Sequence, residues 1–130
     1  MTHKQIQEDV IKKYRIDLCD GTKCLDGDWH RTHAHVRSRR VCKWKQANSA
    51  RSTFTLLHEV GHIVNNESGM RRAEEEYFAT QWAAERAREY GLEVPEELRE
   101  VYQDYIDREK ARGKRRGGQG YGPLKVDWGD

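Results

Sequence analysis

Hydrophobic side chains recur at intervals of three to four residues in four stretches of the chain, and this spacing predicts amphipathic helices. The stretches are residues 4–14, 52–65, 73–90 and 95–112. Ser52 or Thr53 can cap the second helix, Gly91 can end the third and Pro95 can begin the fourth. In the third helix, small residues would allow another helix to approach closely; these are Ala79, Ala83, Ala84 and Ala87.

The helical spacing is absent between the first two predicted helices. Residues 17–28 contain two Asp-Gly pairs typical of turns, and β-forming residues appear between positions 29 and 45. We expect two short strands, near residues 32–37 and 40–45. The pattern as a whole predicts a single α+β domain over residues 1–112, in which a short β-hairpin or sheet packs on the helices.

Composition limits the classes of function that this 130-residue chain can have. It contains no run of ~18 apolar residues, which excludes a membrane-spanning helix. Its start lacks the pattern of a secretory signal, so the expected location is cytoplasmic. The 24 basic and 22 acidic residues nearly cancel, which argues against nucleic acid as a partner. Residues 113–130, which begin with a basic, glycine-rich stretch, are expected to form a flexible tail.

The strongest chemical signal is an HExxH motif inside the second predicted helix, formed by His58, Glu59 and His62. Residues four apart on a helix lie one above the other, so the two imidazoles can converge on one metal ion. Glu59 can then reach a zinc-coordinated water without being a ligand, and can accept its proton as the water attacks a carbonyl. The motif predicts a zinc site with His58 and His62 as ligands and Glu59 as the catalytic base.

A catalytic zinc site of this kind needs a third protein ligand. Asn65 and Ser68 stand where the metzincin extension of the motif requires glycine and histidine. A glutamate before or at the start of the next helix is the alternative, although glutamates there also stabilise the helix dipole. The candidates are Glu67, Glu74, Glu75 and Glu76. Spacing alone does not choose among the last three.

The segment FTLLHEVGH, residues 54–62, resembles the signature helix of the ImmA/IrrE family of small metallopeptidases. In that family the third ligand is a glutamate that opens a helix of the pattern E-x-x-A-(D/N)-x-F-A-A. The segment EYFATQWAA, residues 76–84, resembles this pattern. The resemblance therefore implies that Glu76 is the third zinc ligand. Thr80 departs from the pattern, because the family usually has Asp or Asn there, as a partner of a zinc-binding histidine.

The resemblance covers about residues 50–92 and implies a small zincin-like fold with the peptidase activity of a gluzincin. Family members are associated with phages and other mobile elements, and they cleave or otherwise inactivate helix-turn-helix repressors. The resemblance thus implies a protein substrate, with a DNA-binding repressor as one candidate. The alternative is a non-catalytic, zinc-stabilised module that binds a regulatory partner. The presence of Glu59 favours an enzyme, because metal ligation alone does not require that residue.

Two further groups of residues could either take part in metal binding or catalysis, or have only a structural role. Cys19, Cys24 and Cys42, with one of His30, His33 or His35, could hold a second, structural zinc, but thiols in a reducing cytosol are the favoured interpretation. His33 and His35 alternate onto one strand face, where a donor could face substrate, and Tyr77 could also act as a donor. We favour a solvated edge strand for the histidines and a core position for Tyr77.

Overall fold

The structure, a computed structural model, describes residues 1–19, 32–65, 67–115 and 122–130, and of residues 114 and 115 only the backbone. Within these ranges the chain forms four helices and one three-stranded sheet, which confirms the predicted α+β class. The helices are α1 (His3–Lys13), α2 (Ala50–Val64), α3 (Arg72–Glu89) and α4 (Glu96–Arg115). The strands are β1 (Asp17–Cys19), β2 (His33–His35) and β3 (Arg40–Cys42). None of the four described helices combines the length and the apolar character of a membrane span.

The start of α2 differs from the prediction by a few residues. Ser49 is the N-cap, since its side chain accepts a hydrogen bond from the backbone N–H of Ser52. The hydroxyl of Ser52 is engaged elsewhere, because it donates to the carbonyl of Lys45 and accepts from the N–H of Ala47. At the end of α3, Gly91 has a φ of 69° and follows the helix in the left-handed conformation, as predicted.

The sheet has the strand order β1-β3-β2, so β2 is one of its edges within the part of the chain that the structure describes. The predicted hairpin is present, because β2 pairs antiparallel with β3, although both strands are shorter than expected. The turn-rich stretch predicted from residue 17 begins with a strand that was not expected, since β1 pairs parallel with β3. A strand of three residues is too short to show a period in the sequence, and its partner lies more than twenty positions away.

Helix α2 lies at the centre of the core and packs on α1, α3 and the sheet. Phe54, Leu57 and Val60 on this helix are fully buried. The four alanines predicted to allow close packing of α3 are all buried. The approach is closest at Gly61, where an added Cβ would lie 2.6 Å from the carbonyl oxygen of Ala79. The absence of a side chain at Gly61 therefore sets the spacing between α2 and α3.

Residues 122–130, here called the C-terminal segment, pack against α3 and α4, in contrast to the expected flexible tail. The side-chain amide of Gln103 donates to one backbone carbonyl of this segment and accepts from one backbone N–H. Gln81 makes the same pair of hydrogen bonds with Asp127. The expectation of flexibility is wrong for this segment because it rested on the basic, glycine-rich stretch that precedes it.

Alternating hydrophobic residues hold the C-terminal segment on the helices. Leu124 is buried, and Val126 packs with it against Ile106 of α4. The ring of Trp128 lies 5.5 Å from the ring of Phe54, centroid to centroid. This spacing of two is typical of an extended chain with one face on a core, although the segment pairs with no strand of the described sheet. Trp128 thus brings the end of this segment into contact with the first half of α2.

Candidate metal centre

His58 and His62 lie on the same face of α2, as their spacing predicts. Only 6% of the surface of His58 and 8% of that of His62 is exposed. Their rings meet edge to face with centroids 4.8 Å apart. Two imidazoles buried side by side expose little surface to solvent, so their ring nitrogens need polar partners within the fold.

Glu76, near the start of α3, supplies that partner. Its Oε2 lies 3.1 Å from His58 Nε2 and 3.4 Å from His62 Nε2. One donor atom from each of the three residues lies within 4.8 Å of the others. Ligands bound tetrahedrally at the usual zinc distances are separated by about 3.3–3.5 Å. The observed separations therefore fit three ligands of one small metal ion.

The structure distinguishes between the four glutamates that the sequence left as candidates. Glu74 is half-buried and accepts a hydrogen bond from the side chain of Arg71. Glu75 lies 3.6 Å from Arg72, at the surface. Glu67 approaches His62, but at its other ring nitrogen, Nδ1. Among the four, Glu76 is the one in contact with the Nε2 atoms of both histidines, in agreement with what the family resemblance implies.

The contact with Glu67 orients the ring of His62. Glu67 Oε1 lies 2.5 Å from His62 Nδ1, which places the proton on Nδ1 and leaves Nε2 as the atom that can bind a metal. Thr80, at the position where the family usually has Asp or Asn, donates instead to the backbone carbonyl of Glu76. The carboxylate partner of a histidine therefore comes in this chain from the loop before α3.

Carboxylates dominate the electrostatics of the site. Burial by itself lowers the pKa of His58, but Glu59 and Glu76 outweigh it and raise the pKa to about 9. For His62, burial is likewise outweighed, mainly by Glu67 and Glu76, and its pKa is also about 9. Burial acts to raise the pKa of Glu76, yet hydrogen bonds from the two imidazoles hold it far below its usual range. The site thus concentrates negative charge, which favours a bound cation.

Arg72 and Tyr105 extend the cluster away from the histidines. An Arg72 guanidinium nitrogen lies 3.1 Å from Glu76 Oε1 and also donates to the Tyr105 hydroxyl at 3.2 Å. Because Arg72 binds Oε1, the other carboxylate oxygen of Glu76 is left for the two imidazoles. One oxygen of the Glu76 carboxylate therefore binds Arg72, and the other faces the candidate metal position.

A cleft of about 760 Å³ opens beside the cluster, between β2 and α4. Glu59 lines this cleft together with His58 and Glu76. It also lines a smaller adjoining cavity of about 180 Å³, which reaches His62 and Glu67. Glu59 Oε1 lies 3.4 Å from His58 Nδ1, so its carboxylate stands beside the site but is not one of the converging donors. A molecule in the cleft would therefore meet Glu59 next to the candidate metal position.

The remaining predicted residues fall in different places. His33 lines the cleft from the edge strand β2, so that strand borders the site. Tyr77, favoured as a core aromatic, is partly buried and packs against a small hydrophobic cluster that includes Ile106. Cys19 and Cys42 face each other across β1 and β3. Cys24 and His30, two of the candidate ligands for a possible second zinc, lie outside the described residues.

Three polar or aromatic side chains that shape the cleft were not predicted from the sequence. Tyr102 of α4 packs its ring 4.9 Å from that of His58, and burial raises its pKa to about 12. Arg72 and Tyr105 were also not singled out. Tyr102 and Tyr105 were visible only as members of an apolar stripe on α4, which predicts that they are buried but not what they face.

Comparisons of this chain with known protein families, with curated proteins and with solved structures find no match. The geometry of the cluster is therefore the main support for any function.

Proposed function

We propose that this protein is a zinc-dependent metallopeptidase in which His58, His62 and Glu76 bind the metal and Glu59 is the catalytic base. The observation that carries the proposal is the convergence of three buried donor atoms beside a cleft that Glu59 also lines. Two neutral imidazoles and one carboxylate, with a fourth position open, are the donor set of a catalytic zinc site. Structural zinc sites are usually closed by four protein ligands, so this set favours catalysis.

The described residues have distinct roles in this mechanism. Zinc, when bound, lowers the pKa of a coordinated water to about 7 and polarises the substrate carbonyl. Glu59 accepts a proton from the water that attacks the carbonyl carbon. The same carboxyl then donates a proton to the amine nitrogen as the carbon–nitrogen bond breaks. Glu67 holds the ring of His62, and Arg72 holds the carboxylate of Glu76, so both keep the ligands in place.

The surroundings of the site favour an extended peptide as substrate. Among the described residues, strand β2 is a sheet edge, and it borders both the large cleft and the smaller cavity, so a peptide can pair with its backbone as an added strand. The resemblance to the ImmA/IrrE family supports the same class of reaction. On that resemblance we propose a protein substrate, with a helix-turn-helix repressor of a mobile element as its most specific form.

The test combines zinc analysis with peptide hydrolysis. The purified, zinc-loaded protein is incubated with a mixed library of fluorescence-quenched peptides, and bound zinc is measured by mass spectrometry. We expect Glu59→Gln to retain zinc and fold but to lose at least about 100-fold in hydrolysis, because the amide cannot accept the proton. Glu76→Ala should lose the zinc bound between α2 and α3, and hydrolysis with it, since it removes a ligand.

Glu75→Gln is the matched control, because it changes the neighbouring glutamate on α3, which does not touch the imidazoles. It should retain both zinc and activity. Full hydrolysis by Glu59→Gln would overturn the catalytic assignment. A protein that binds zinc through Glu76 but hydrolyses none of the peptides would favour the non-catalytic binding module instead.

A further inference from the structure

The register of the small sheet places histidine and cysteine side chains on one of its faces. His33 pairs with Cys42 across β2 and β3, and Cys42 pairs with Cys19 across β1 and β3. Directly paired residues point to the same side of a sheet, and so do residues two apart on one strand. His35, two positions after His33, therefore shares this face with Cys42.

The opposite face of the sheet belongs to the hydrophobic core. Val41 is fully buried in that core, and Ala34, its partner across the strands, packs against it. Alternation along β2 and β3 then places His33, His35 and Cys42 on the face of the sheet opposite Val41 and Ala34. The three side chains form a group that has no ligand in common with the cluster on α2 and α3, although His33 also lines the cleft beside that cluster.

The donor atoms of these three residues are close enough to share an ion. One ring nitrogen of His33, one of His35 and the Sγ of Cys42 all lie within 4.8 Å of one another. Cys42 is fully buried, and the two rings meet edge to face with centroids 5.1 Å apart. In addition, Nε2 of His35 is buried and has no hydrogen-bond partner among the described residues. A buried ring nitrogen without a partner carries an energetic cost that metal ligation would remove.

We propose that His33, His35 and Cys42 form a second metal site, which binds zinc and ties β2 to β3. A thiolate with two imidazoles selects a borderline or soft ion such as Zn²⁺ over Mg²⁺ or Ca²⁺, which prefer oxygen ligands. Arg40 is the neighbouring cation on this face, and it is directed to Asp17 at 3.7 Å. Strands of three residues have few backbone hydrogen bonds, so a metal bridge adds much to the stability of this hairpin.

This inference does not depend on the proposed peptidase function, because the two sites share no ligand. Their donor sets also differ in chemistry. The α2–α3 site has only nitrogen and oxygen donors, whereas the sheet site includes a sulfur. A spectroscopic probe of metal–thiolate bonding therefore reports on the sheet site alone.

The test uses Co²⁺ as that probe, added to the full chain after zinc has been removed with a chelator. Cobalt bound to a thiolate gives a near-ultraviolet charge-transfer absorption that cobalt bound to nitrogen and oxygen lacks. We expect this absorption in the wild type and in His58→Ala, and its loss in Cys42→Ser and His35→Asn. Zinc content, measured by mass spectrometry, should be about two per chain in the wild type and about one in His35→Asn and in His58→Ala.

Cys19→Ser is the matched control, because Cys19 lies on the same face but outside the group of three donors. It should retain the absorption. Circular dichroism shows whether each variant is folded, and His35→Asn, whose side chain is only partly buried, keeps the test valid if Cys42→Ser fails to fold. The absence of the cobalt–thiolate absorption in the folded wild type would overturn the proposal. Retention of the absorption in folded His35→Asn would do the same.

Discussion

The close contact between α2 and α3 can be tested with a single methyl group, in the variant Gly61→Ala. The new Cβ would lie 2.6 Å from the carbonyl oxygen of Ala79, whereas ordinary contact begins at 3.4 Å, so the helices must separate by about 0.8 Å. Overpacking of this kind costs about 1–3 kcal/mol, and the better helix propensity of alanine returns about 1 kcal/mol. We expect the free energy of unfolding to fall by about 0–2 kcal/mol.

The same displacement should reach the metal site. Glu76 lies one helical turn before Ala79, and its carboxylate must stay within contact of both imidazoles. Metal sites tolerate ligand displacements of only about 0.2 Å, so we expect zinc affinity to fall by about 10–100-fold. Urea denaturation of the metal-free protein measures the first effect. Competition with a chromophoric chelator measures the second.

Gly122→Ala is the control, because a Cβ there meets nothing within 4 Å. It should change stability by less than about 0.5 kcal/mol and leave zinc affinity unchanged. If Gly61→Ala is instead more stable than the wild type and binds zinc equally well, the gain in helix propensity is larger than the cost of the close contact with Ala79. The proposed role of Gly61 in setting the geometry of the site is then wrong.

Three further predictions concern other parts of the molecule. Glu67→Gln should weaken zinc binding by about 10–100-fold in calorimetric titration, because the amide holds His62 less firmly, while Glu74→Gln should leave it unchanged. Trp128→Ala should lower the free energy of unfolding in urea by about 2 kcal/mol, less than the about 3–5 kcal/mol of a fully buried aromatic, since Trp128 is half-buried. If Trp128→Ala unfolds at the same urea concentration as the wild type, the C-terminal segment contributes no stability. In the metal-free protein, the two histidines have a pKa of about 9, above the usual 6.5. The stability that they contribute should be complete below about pH 6.5 and be lost as pH rises through about 9; a denaturation midpoint that stays level over this range would contradict those pKa values.

The two histidines of the motif were predictable because the relevant information is local. A spacing of four residues on a helix fixes which side chains lie together, whatever the rest of the fold does. The third donor is different, since its identity depends on how α3 packs against α2 at Gly61 and Ala79. Spacing left three adjacent glutamates equivalent, and only the resemblance to a known pattern favoured Glu76. The contact of Glu67 with Nδ1 of His62 depends on the loop between the helices, whose path the sequence pattern does not specify.

The helices were predicted within a few residues of their observed ends, except that α4 continues to Arg115. The sheet was predicted less well, because its strands have three residues each and its register is set by contacts between distant parts of the chain. The pairing of His33 with Cys42 therefore could not be read from spacing. The packing of the C-terminal segment was not predicted for a different reason. Its alternating hydrophobic residues are few, and the preceding basic, glycine-rich stretch dominated the interpretation.

The positions of the three α2–α3 donors along the chain also bear on the order of folding. His58 and Glu76 are separated by only 18 positions, and both lie on a pair of consecutive helices that pack directly on each other. Contacts between near neighbours in sequence lose little entropy when they form, so a helical hairpin can assemble early. The walls of the cleft come from β2 and α4, on either side of that hairpin in the chain. We therefore expect a refolding chain to capture zinc before it can hold a peptide, so that binding of the metal would help to select the correct pairing of the two helices.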